Sequence, residues 1–208
     1  MKLLALAIVA AATLTATAHA GDLYVVGSVG QSRLDVKKSD YDTPLTAAGV
    51  KLQSSSLSRT DTAWKAQVGY RFSEVFAVEG GYVDLGKATY SATATGGVVN
   101  GSLKASGLNL AAVGNLPLGD AFTVFGKLGV IAARVEGEVS ASGVGGSYSG
   151  SNSSTNLRGN WGIGASYAID HNFAVRVEAE QFSKLGDNKT FGKKSDVNVL
   201  SAGIQYTF

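Results

Sequence analysis

The chain has 208 residues, no cysteine, only 2 prolines beside 27 glycines, and a formal net charge of +2. The lack of cysteine excludes a disulfide framework, a thiolate metal site and a catalytic thiol. With 18 basic and 16 acidic residues and no basic run longer than two, the sequence does not indicate a nucleic-acid-binding protein.

The N-terminus has the pattern of a secretory signal peptide. Lys2 provides a short positive region, residues 3–14 form an apolar core too short to cross a bilayer as a helix, and Ala18-His19-Ala20 is a small-x-small cleavage site. We therefore predict that residues 1–20 are removed and that residues 21–208 form a single exported domain.

Eight later segments show the two-residue alternation of β-strands. In residues 64–72, for example, the apolar side chains of Trp64 and Val68 lie opposite the polar ones of Lys65 and Gln67. Each segment is about ten residues long, as a tilted strand needs to be to cross a bilayer. The segments are 22–32, 64–72, 75–87, 105–118, 121–135, 157–169, 172–184 and 197–208.

The connections between these segments alternate in length. Short turns lie at 73–74, 119–120 and 170–172, and long connections lie at 33–60, 88–104, 136–156 and 185–195. This asymmetry predicts an all-β, eight-stranded antiparallel transmembrane β-barrel with both termini on the periplasmic rim. A soluble β-sandwich is the alternative, but it would not be expected to sort its loops so regularly.

Two local patterns suggest a family. Residues 76–86 (FAVEGGYVDLG) and the terminal Tyr206-Thr207-Phe208, with the signal peptide and the eight strands, resemble the OmpA-like small outer-membrane barrels. The resemblance implies that the aromatic C-terminal segment, with Tyr206 and Phe208, is recognised by the barrel-assembly machinery. Because the chain stops at Phe208, we expect no peptidoglycan-binding domain and no cell-wall tether.

Seven charged residues fall on the inward faces of the predicted strands: Lys65, Arg71, Glu79, Lys127, Arg176, Glu178 and Glu180. An eight-stranded barrel is about wide enough to be filled by its own side chains. Charges confined there must form ion pairs or stay hydrated, because burying an unpaired charge costs several kcal/mol. We predict a lumen charge network that is either a structural plug or a gate for a narrow ion path, and small-pore activity is also suggested by the family resemblance.

Candidates for other chemistry are few. His171 is the one histidine of the sequence outside the predicted signal peptide, and it falls in a predicted turn on the periplasmic side. We therefore predict no catalysis, no metal site and no cofactor. The stretch from Ser140 to Ser154 is dense in Ser and Gly, a composition that indicates a flexible loop. Lys189, Lys193 and Lys194 are candidates for contacts to lipopolysaccharide phosphates, although solubility alone is a sufficient reason for them.

The predicted function follows from these features. We expect a monomeric protein of the bacterial outer membrane with a structural, envelope-supporting role, surrounded by outer-membrane lipid and lipopolysaccharide and without a nucleic-acid partner. A surface interaction protein that acts through its four long loops is one alternative, and a small gated pore is another.

Overall fold

The computed structural model describes residues 22–36, 38–47, 51–143, 146–186 and 195–208. The predicted signal peptide and Lys189, Lys193 and Lys194 lie outside these residues. No helix in the described part of the chain is both long and apolar enough to cross a membrane. The elements are β1 (Asp22–Leu34), α1 (Ser39–Ala47), β2 (Leu52–Ser58), β3 (Thr60–Arg71), β4 (Phe76–Ala94), β5 (Gly97–Pro117), β6 (Phe122–Gly143), β7 (Gly146–Ala168), β8 (Phe173–Leu185) and β9 (Ser195–Thr207).

Eight of these strands close into a ring, as the alternation predicted. The hydrogen-bonded order is β4-β3-β1-β9-β8-β7-β6-β5, and β5 pairs back onto β4. The antiparallel pair of β1 and β9 joins the two ends of the chain, with Val29 opposite Ala202. Closure leaves no free strand edge within the ring, which is the condition for a sheet to lie in lipid.

The two faces of the ring differ as the sequence predicted. Along β3, Lys65 and Gln67 are buried inside the barrel, whereas Trp64 and Val68 are exposed on the outside. The outward apolar face of β5 extends from Leu108 to Leu118. At about 3.3 Å per residue and a tilt of about 40°, this run is about 25 Å tall, the height of a barrel's lipid-facing band.

Two of the four predicted long loops are β-hairpins. β4 and β5 continue until Ala94 pairs with Gly97, and β6 and β7 continue until Gly143 pairs with Gly146. The prediction of a flexible loop from Ser140 to Ser154 was therefore wrong for 140–143 and 146–154, which the structure describes as strand. The Ser and Gly composition suggested flexibility, but backbone groups pair whatever the side chain, and the β6–β7 ladder runs without a register shift.

The remaining long connections differ from each other. Residues 33–60 contain α1 and β2, and β2 pairs with the outer part of β4 through contacts such as Ser56 opposite Ser91. Most of 185–195 lies outside the described residues. The rim that carries these connections is called the extended rim below, and the rim that carries Leu23 and Phe208 is called the terminal rim.

A bulge in β4 marks the end of the barrel proper. Beyond it, parts of β4, β5, β6 and β7 continue together with β2 and α1, and we call this part the extension. The register shifts between Asp84 and Lys87, and Gly86 adopts a positive φ of 72°, which glycine tolerates without strain. The Gly86 amide donates to Asp84 Oδ1 at 2.8 Å, and the Lys87 amide donates to Asp61 Oδ2 at 2.7 Å. The extra residue exchanges the faces of β4, so that odd-numbered residues point outward beyond it.

Candidate functional site

Six of the seven predicted lumen charges lie together at mid-height inside the barrel. They are three cations and three carboxylates, contributed by inward positions of β3, β4, β6 and β8, and every one of their side chains is at most 4% exposed. We call them the lumen cluster: Lys65, Lys127, Arg176, Glu79, Glu178 and Glu180. Their formal charges cancel.

The two lysines contact the paired carboxylates of β8. Lys65 Nζ contacts both Glu178 Oε2 and Glu180 Oε2. Lys127 Nζ lies 3.4 Å from Glu178 Oε2 and 3.6 Å from Glu180 Oε1. Because Glu178 and Glu180 are two residues apart on one strand, they point to the same side and share these cations.

Glu79 has three partners, one of them a hydroxyl from outside the cluster. Lys127 Nζ lies 2.6 Å from Glu79 Oε2, and Arg176 Nη1 donates to Glu79 Oε1 at 2.7 Å. The Tyr24 hydroxyl donates to the same Oε1 at 2.8 Å. Arg176 also reaches Glu178 Oε1 at 2.8 Å through Nη2. Two cations and a hydroxyl therefore offset the cost of burying this carboxylate.

Arg71 does not join the cluster, which corrects its predicted place in the lumen network. Its Nη1 atom lies 3.3 Å from Asp22 Oδ2, and the two side chains are 34% and 56% exposed. Arg71 is the last residue of β3, so its inward parity brings it to the terminal rim, where water and Asp22 are within reach of the guanidinium. Exposed ion pairs of this kind contribute about 1 kcal/mol or less.

An apolar layer lies between the lumen cluster and the terminal rim. It consists of Tyr24, Val26, Ala77, Val113 and Phe125. The Arg176 guanidinium stacks 4.3 Å above the Phe125 ring. A Cβ on Gly164 would lie 2.4 Å from that ring, so glycine provides the space that Phe125 fills.

A second, larger apolar layer lies on the other side of the cluster, toward the extended rim. On the strands that carry both, its residues come after the charged ones in that direction: Ile131 lies beyond Lys127 on β6, and Phe182 lies beyond Glu180 on β8. The layer consists of Ala63, Val83, Leu85, Ile131, Ala133, Val135, Phe182, Leu185, Val197 and Val199. Apolar side chains thus lie on both sides of the charges, and on the terminal side Arg176 also donates to the buried Gln205 at 3.1 Å.

A separate polar contact holds α1 against the extension. The Tyr90 hydroxyl donates to Asp42 Oδ1 at 2.6 Å, and Ser55 Oγ donates to Asp42 Oδ2 at 3.0 Å. The hydrogen bond from Tyr90 lowers the pKa of the Asp42 carboxyl. Burial, followed by the hydrogen bond to Asp42, raises the pKa of Tyr90 to about 12.

Sequence reasoning did not single out several buried residues with polar groups inside the barrel, of which Tyr24 contacts the lumen cluster. Tyr24, Gln67, Asn109 and Asn160 are all buried inside the barrel. Gln67, Asn109 and Asn160 lie on inward faces that the alternation had identified, so a search for every polar inward residue would have found them. Tyr24 lies on a strand with two apolar faces, where the alternation gave no inward side. The contact between Asp42 and Tyr90 has no such signal, because the two residues are 48 positions apart in different elements.

The terminal rim holds the predicted assembly signal and the histidine. The Tyr206 ring lies 5.0 Å from that of Phe208 and 4.9 Å from that of Phe173. His171 lies in the turn between β7 and β8, as predicted. In that turn, backbone hydrogen bonds from Phe173 and Asn172 lower the pKa of the Asp170 carboxyl.

Comparison with known proteins gives the family. The model of the OmpA-like transmembrane domain matches residues 18–208, nearly the whole chain. This chain belongs to that family. Outer membrane protein A of Yersinia pseudotuberculosis is 32% identical over 140 residues, and that of Klebsiella pneumoniae is 27% identical over 187 residues. These regions cover 67% and 89% of the chain but only 38% and 50% of the relatives, so the chain corresponds to about half of their length or less.

Solved structures show the same fold. Ail of Yersinia pestis, in complex with the heparin analogue sucrose octasulfate, is 20% identical, with a TM-score of 0.52 over 91% of this chain and 100% of that chain. OprG of Pseudomonas aeruginosa is 16% identical, with a TM-score of 0.50 over 91% and 96% of the two chains. The OmpA-like chain is therefore an outer-membrane β-barrel of the Gram-negative type, and its outward apolar band faces lipid.

Proposed function

We propose that this OmpA-like chain is a structural outer-membrane barrel whose lumen is sealed, and that it supports the integrity of the envelope without catalysis. The observation that carries the proposal is the enclosure of the lumen cluster between two apolar layers. An ion in transit would have to cross the larger apolar layer, in which Ile131 and Phe182 are fully buried beside the amides of Asn109 and Asn160. This arrangement supports the plug over the gated pore.

Conductance measurements distinguish the plug from the gate. In planar bilayers the purified chain should give no steady current. The variant Ile131→Ser/Phe182→Ser, which makes the larger apolar layer polar, should introduce a measurable leak if that layer is the seal. Discrete steps from the unaltered chain, abolished by Glu79→Ala or Lys127→Ala, would support the gate and contradict the plug.

The envelope role is tested in cells. A strain that lacks the protein should take up more of a hydrophobic fluorescent dye, and expression of the full chain should restore exclusion. A hairpin-trimmed variant, in which 91–100 and 140–149 are each replaced by Asn-Gly, should restore it too, because the ring is intact. Equal dye uptake with and without the protein would contradict the envelope role.

A surface-interaction role is the second candidate. It is favoured by the two hairpins, which carry β4–β5 and β6–β7 well beyond the lipid-facing band as ordered surfaces. The fold neighbour Ail was solved with a heparin analogue, which suggests sulfated glycans as a probe. If the hairpin-trimmed variant lost adhesion to host cells or to immobilised heparin, while strains with and without the protein excluded the dye equally, the interaction role would replace the envelope role.

We also propose that both termini face the periplasm, that residues 1–20 are a removed signal peptide, and that the chain is a monomer. The short turns on the terminal rim support the orientation. Proteolysis of intact cells should cleave only within the extended rim. Cleavage at residues 118–121 or 169–172 in intact cells would reverse the orientation.

A further inference from the structure

A sheet of five strands continues beyond the lipid-facing band, and its outward face has an unusual composition. β2, β4, β5, β6 and β7 pair side by side there in three successive rows. The central row is Ser56, Ser91, Asn100, Ser140 and Ser149. The row nearer the membrane is Ser58, Thr89, Ser102, Glu138 and Ser151. The row farther away is Ser54, Thr93, Val98, Ser142 and Ser147.

Four of the five positions in every row are Ser or Thr. We call these three rows the hydroxyl face. It continues the lipid-facing side of the barrel, because Leu108 and Asn100, or Leu128 and Ser140, have the same parity on an unbroken strand. The face therefore points sideways, toward whatever surrounds the barrel outside the membrane.

The hydroxyl face contains an open groove. It has a volume of about 570 Å³, and it lies along the central row and the row nearer the membrane. The Ser91 hydroxyl donates to Asn100 Oδ1 at 2.7 Å, which orients the amide beside the groove. The Glu138 carboxylate lies in the same groove. Hydroxyls, an amide and one carboxylate are groups that hydrogen-bond the hydroxyls of a saccharide.

The chemistry of the outward surface changes in a fixed order with height. The lipid-facing band ends at two rows that carry Lys87, Lys104 and Arg134 together with Asp84 and Glu136. The central row of the hydroxyl face follows about 10 Å above Lys104, at about 3.3 Å of rise per residue on tilted strands. Lipopolysaccharide has the same order: acyl chains, then phosphates, then sugars.

We propose that the hydroxyl face packs against the core sugars of lipopolysaccharide in the same leaflet. The charged rows below it, in which Lys104 pairs with Asp84 and Arg134 pairs with Glu136, lie at the height of the phosphates and offer them the cation of Lys87 in addition. The proposal rests on the outer-membrane location and on continuity with the lipid interface, and it does not depend on whether the lumen is sealed. It assigns a saccharide-binding role to a surface that composition alone describes as a flexible linker.

The edge of this sheet also favours coverage by saccharide over exposure to bulk water. Among the described residues, β7 pairs with β8 only from Asn160 onward, so its segment from Gly146 to Leu157 is a strand edge without a charge or a proline. Edges that face water are normally protected by such residues against pairing with other chains. Within a dense sugar layer, steric crowding would give that protection.

The test uses the full chain in lipid nanodiscs of three compositions: lipopolysaccharide with a complete core, lipopolysaccharide truncated to its innermost sugars, and phospholipid alone. Amide hydrogen exchange in 97–102 and 138–151 is measured by mass spectrometry. The complete core should slow exchange in these segments about tenfold relative to the truncated form, whereas exchange in the ring should not change. Equal exchange with the two forms would overturn the proposal.

Variants separate a binding face from general crowding. The triple variant Ser140→Ala/Ser149→Ala/Ser151→Ala should abolish most of the tenfold difference in exchange, since the loss of each hydrogen bond weakens binding severalfold. Asn152→Ala, on the opposite face of β7, and Ser149→Thr, which retains the hydroxyl, should leave it unchanged. A difference that survives the triple variant would overturn the proposal.

Two further results are decisive. A heat-dependent gel shift confirms that each variant has folded. If the triple variant does not fold, the comparison of the complete and the truncated core on the unaltered chain still tests the proposal. Released core oligosaccharide is added to the phospholipid nanodiscs as the soluble probe. If it alone gave the full protection, the face would be a receptor for free glycans, and its assignment to lipopolysaccharide of the same leaflet would be wrong.

Discussion

At the scale of single residues, the lumen shows how a carboxylate is retained in a buried site. Glu79 is fully buried, and Lys127, Arg176 and Tyr24 all contact it. Removing one member leaves its partners buried and incompletely neutralised, which costs more than the pair itself contributes. Arg71, on the same inward parity but at the rim, is under no such constraint.

We therefore predict that Glu79→Gln lowers the free energy of unfolding by about 3 kcal/mol. Arg71→Gln, the matched control at the rim, should change it by about 1 kcal/mol or less. Urea unfolding in lipid vesicles, followed by the fluorescence of Trp64 and Trp161, measures both. Lys127→Met added to Glu79→Gln should cost less than the sum of the two single changes. Equal effects of Glu79→Gln and Arg71→Gln would contradict the burial argument.

At the scale of elements, the extension combines strands that continue the barrel with one helix held by polar contacts. α1 is anchored through Asp42, which accepts hydrogen bonds from Tyr90 and Ser55. Because the folded pKa of Asp42 is lowered, its contribution is present above the ordinary carboxyl pKa and is lost as the pH falls through the folded value. The raised pKa of Tyr90 gives the opposite pH dependence. The contribution of Tyr90 to stability is present below about pH 10 and is lost as the pH rises through about 12.

The predicted consequence is a pH window for the docking of α1. The chain has no cysteine, so Ser39→Cys can carry a single spin label on an exposed position of the helix. The label should be immobilised from about pH 5 to about pH 10 and should become mobile in acid. With Tyr90→Phe the label should be more mobile at every pH, because one of the two hydrogen bonds to Asp42 is lost. Immobilisation independent of pH would show that other contacts hold the helix.

A second prediction at this scale concerns the hairpins. The hairpin-trimmed variant joins Tyr90 to Gly101 and Val139 to Gly150, which face each other across their ladders, so a two-residue Asn-Gly turn fits each junction. It should keep the heat-dependent gel shift of a folded barrel, because the strand pairs within the lipid-facing band are all retained. Loss of the shift would mean that the extension is needed for the ring to close.

At the scale of the whole molecule, closure depends on the two ends of the chain meeting. β1 and β9 pair along eleven positions, and the Phe208 amide donates to the Leu23 carbonyl at 3.0 Å. The Phe208 side chain is 58% exposed on the outside. The ladder that closes the ring is thus made by the backbone, whereas the terminal ring is free to contact lipid or an assembly factor.

We predict that Phe208→Ala slows insertion more than it changes the finished barrel. Truncation of a half-exposed ring should lower the free energy of unfolding by about 1–2 kcal/mol. Assembly into membranes that contain the insertion machinery should slow severalfold, while folding into pure lipid should change little. Leu118→Ala, an exposed residue on the same rim, is the control. Equal slowing by both variants would argue against a specific terminal signal.

The sequence by itself determined the ring, its faces and the buried charges. Residues such as Trp64 and Lys65 separate into lipid and lumen because a strand alternates strictly, and this information is local. The height of a residue along the strand was harder to predict than its face. Arg71 has the inward parity of Lys65, but it lies at a rim, where a charge can reach water.

Only the tertiary structure decided what depends on pairing between distant segments. The continuation of β6 and β7 through Ser140 and Ser149 depends on backbone pairing between the two strands, which composition does not predict. The hydroxyl face exists because registers fixed across five strands bring Ser56, Ser91 and Ser140 into one row. The two apolar layers around the lumen cluster likewise depend on the relative stagger of strands, which is set by closure of the ring and not by any single segment.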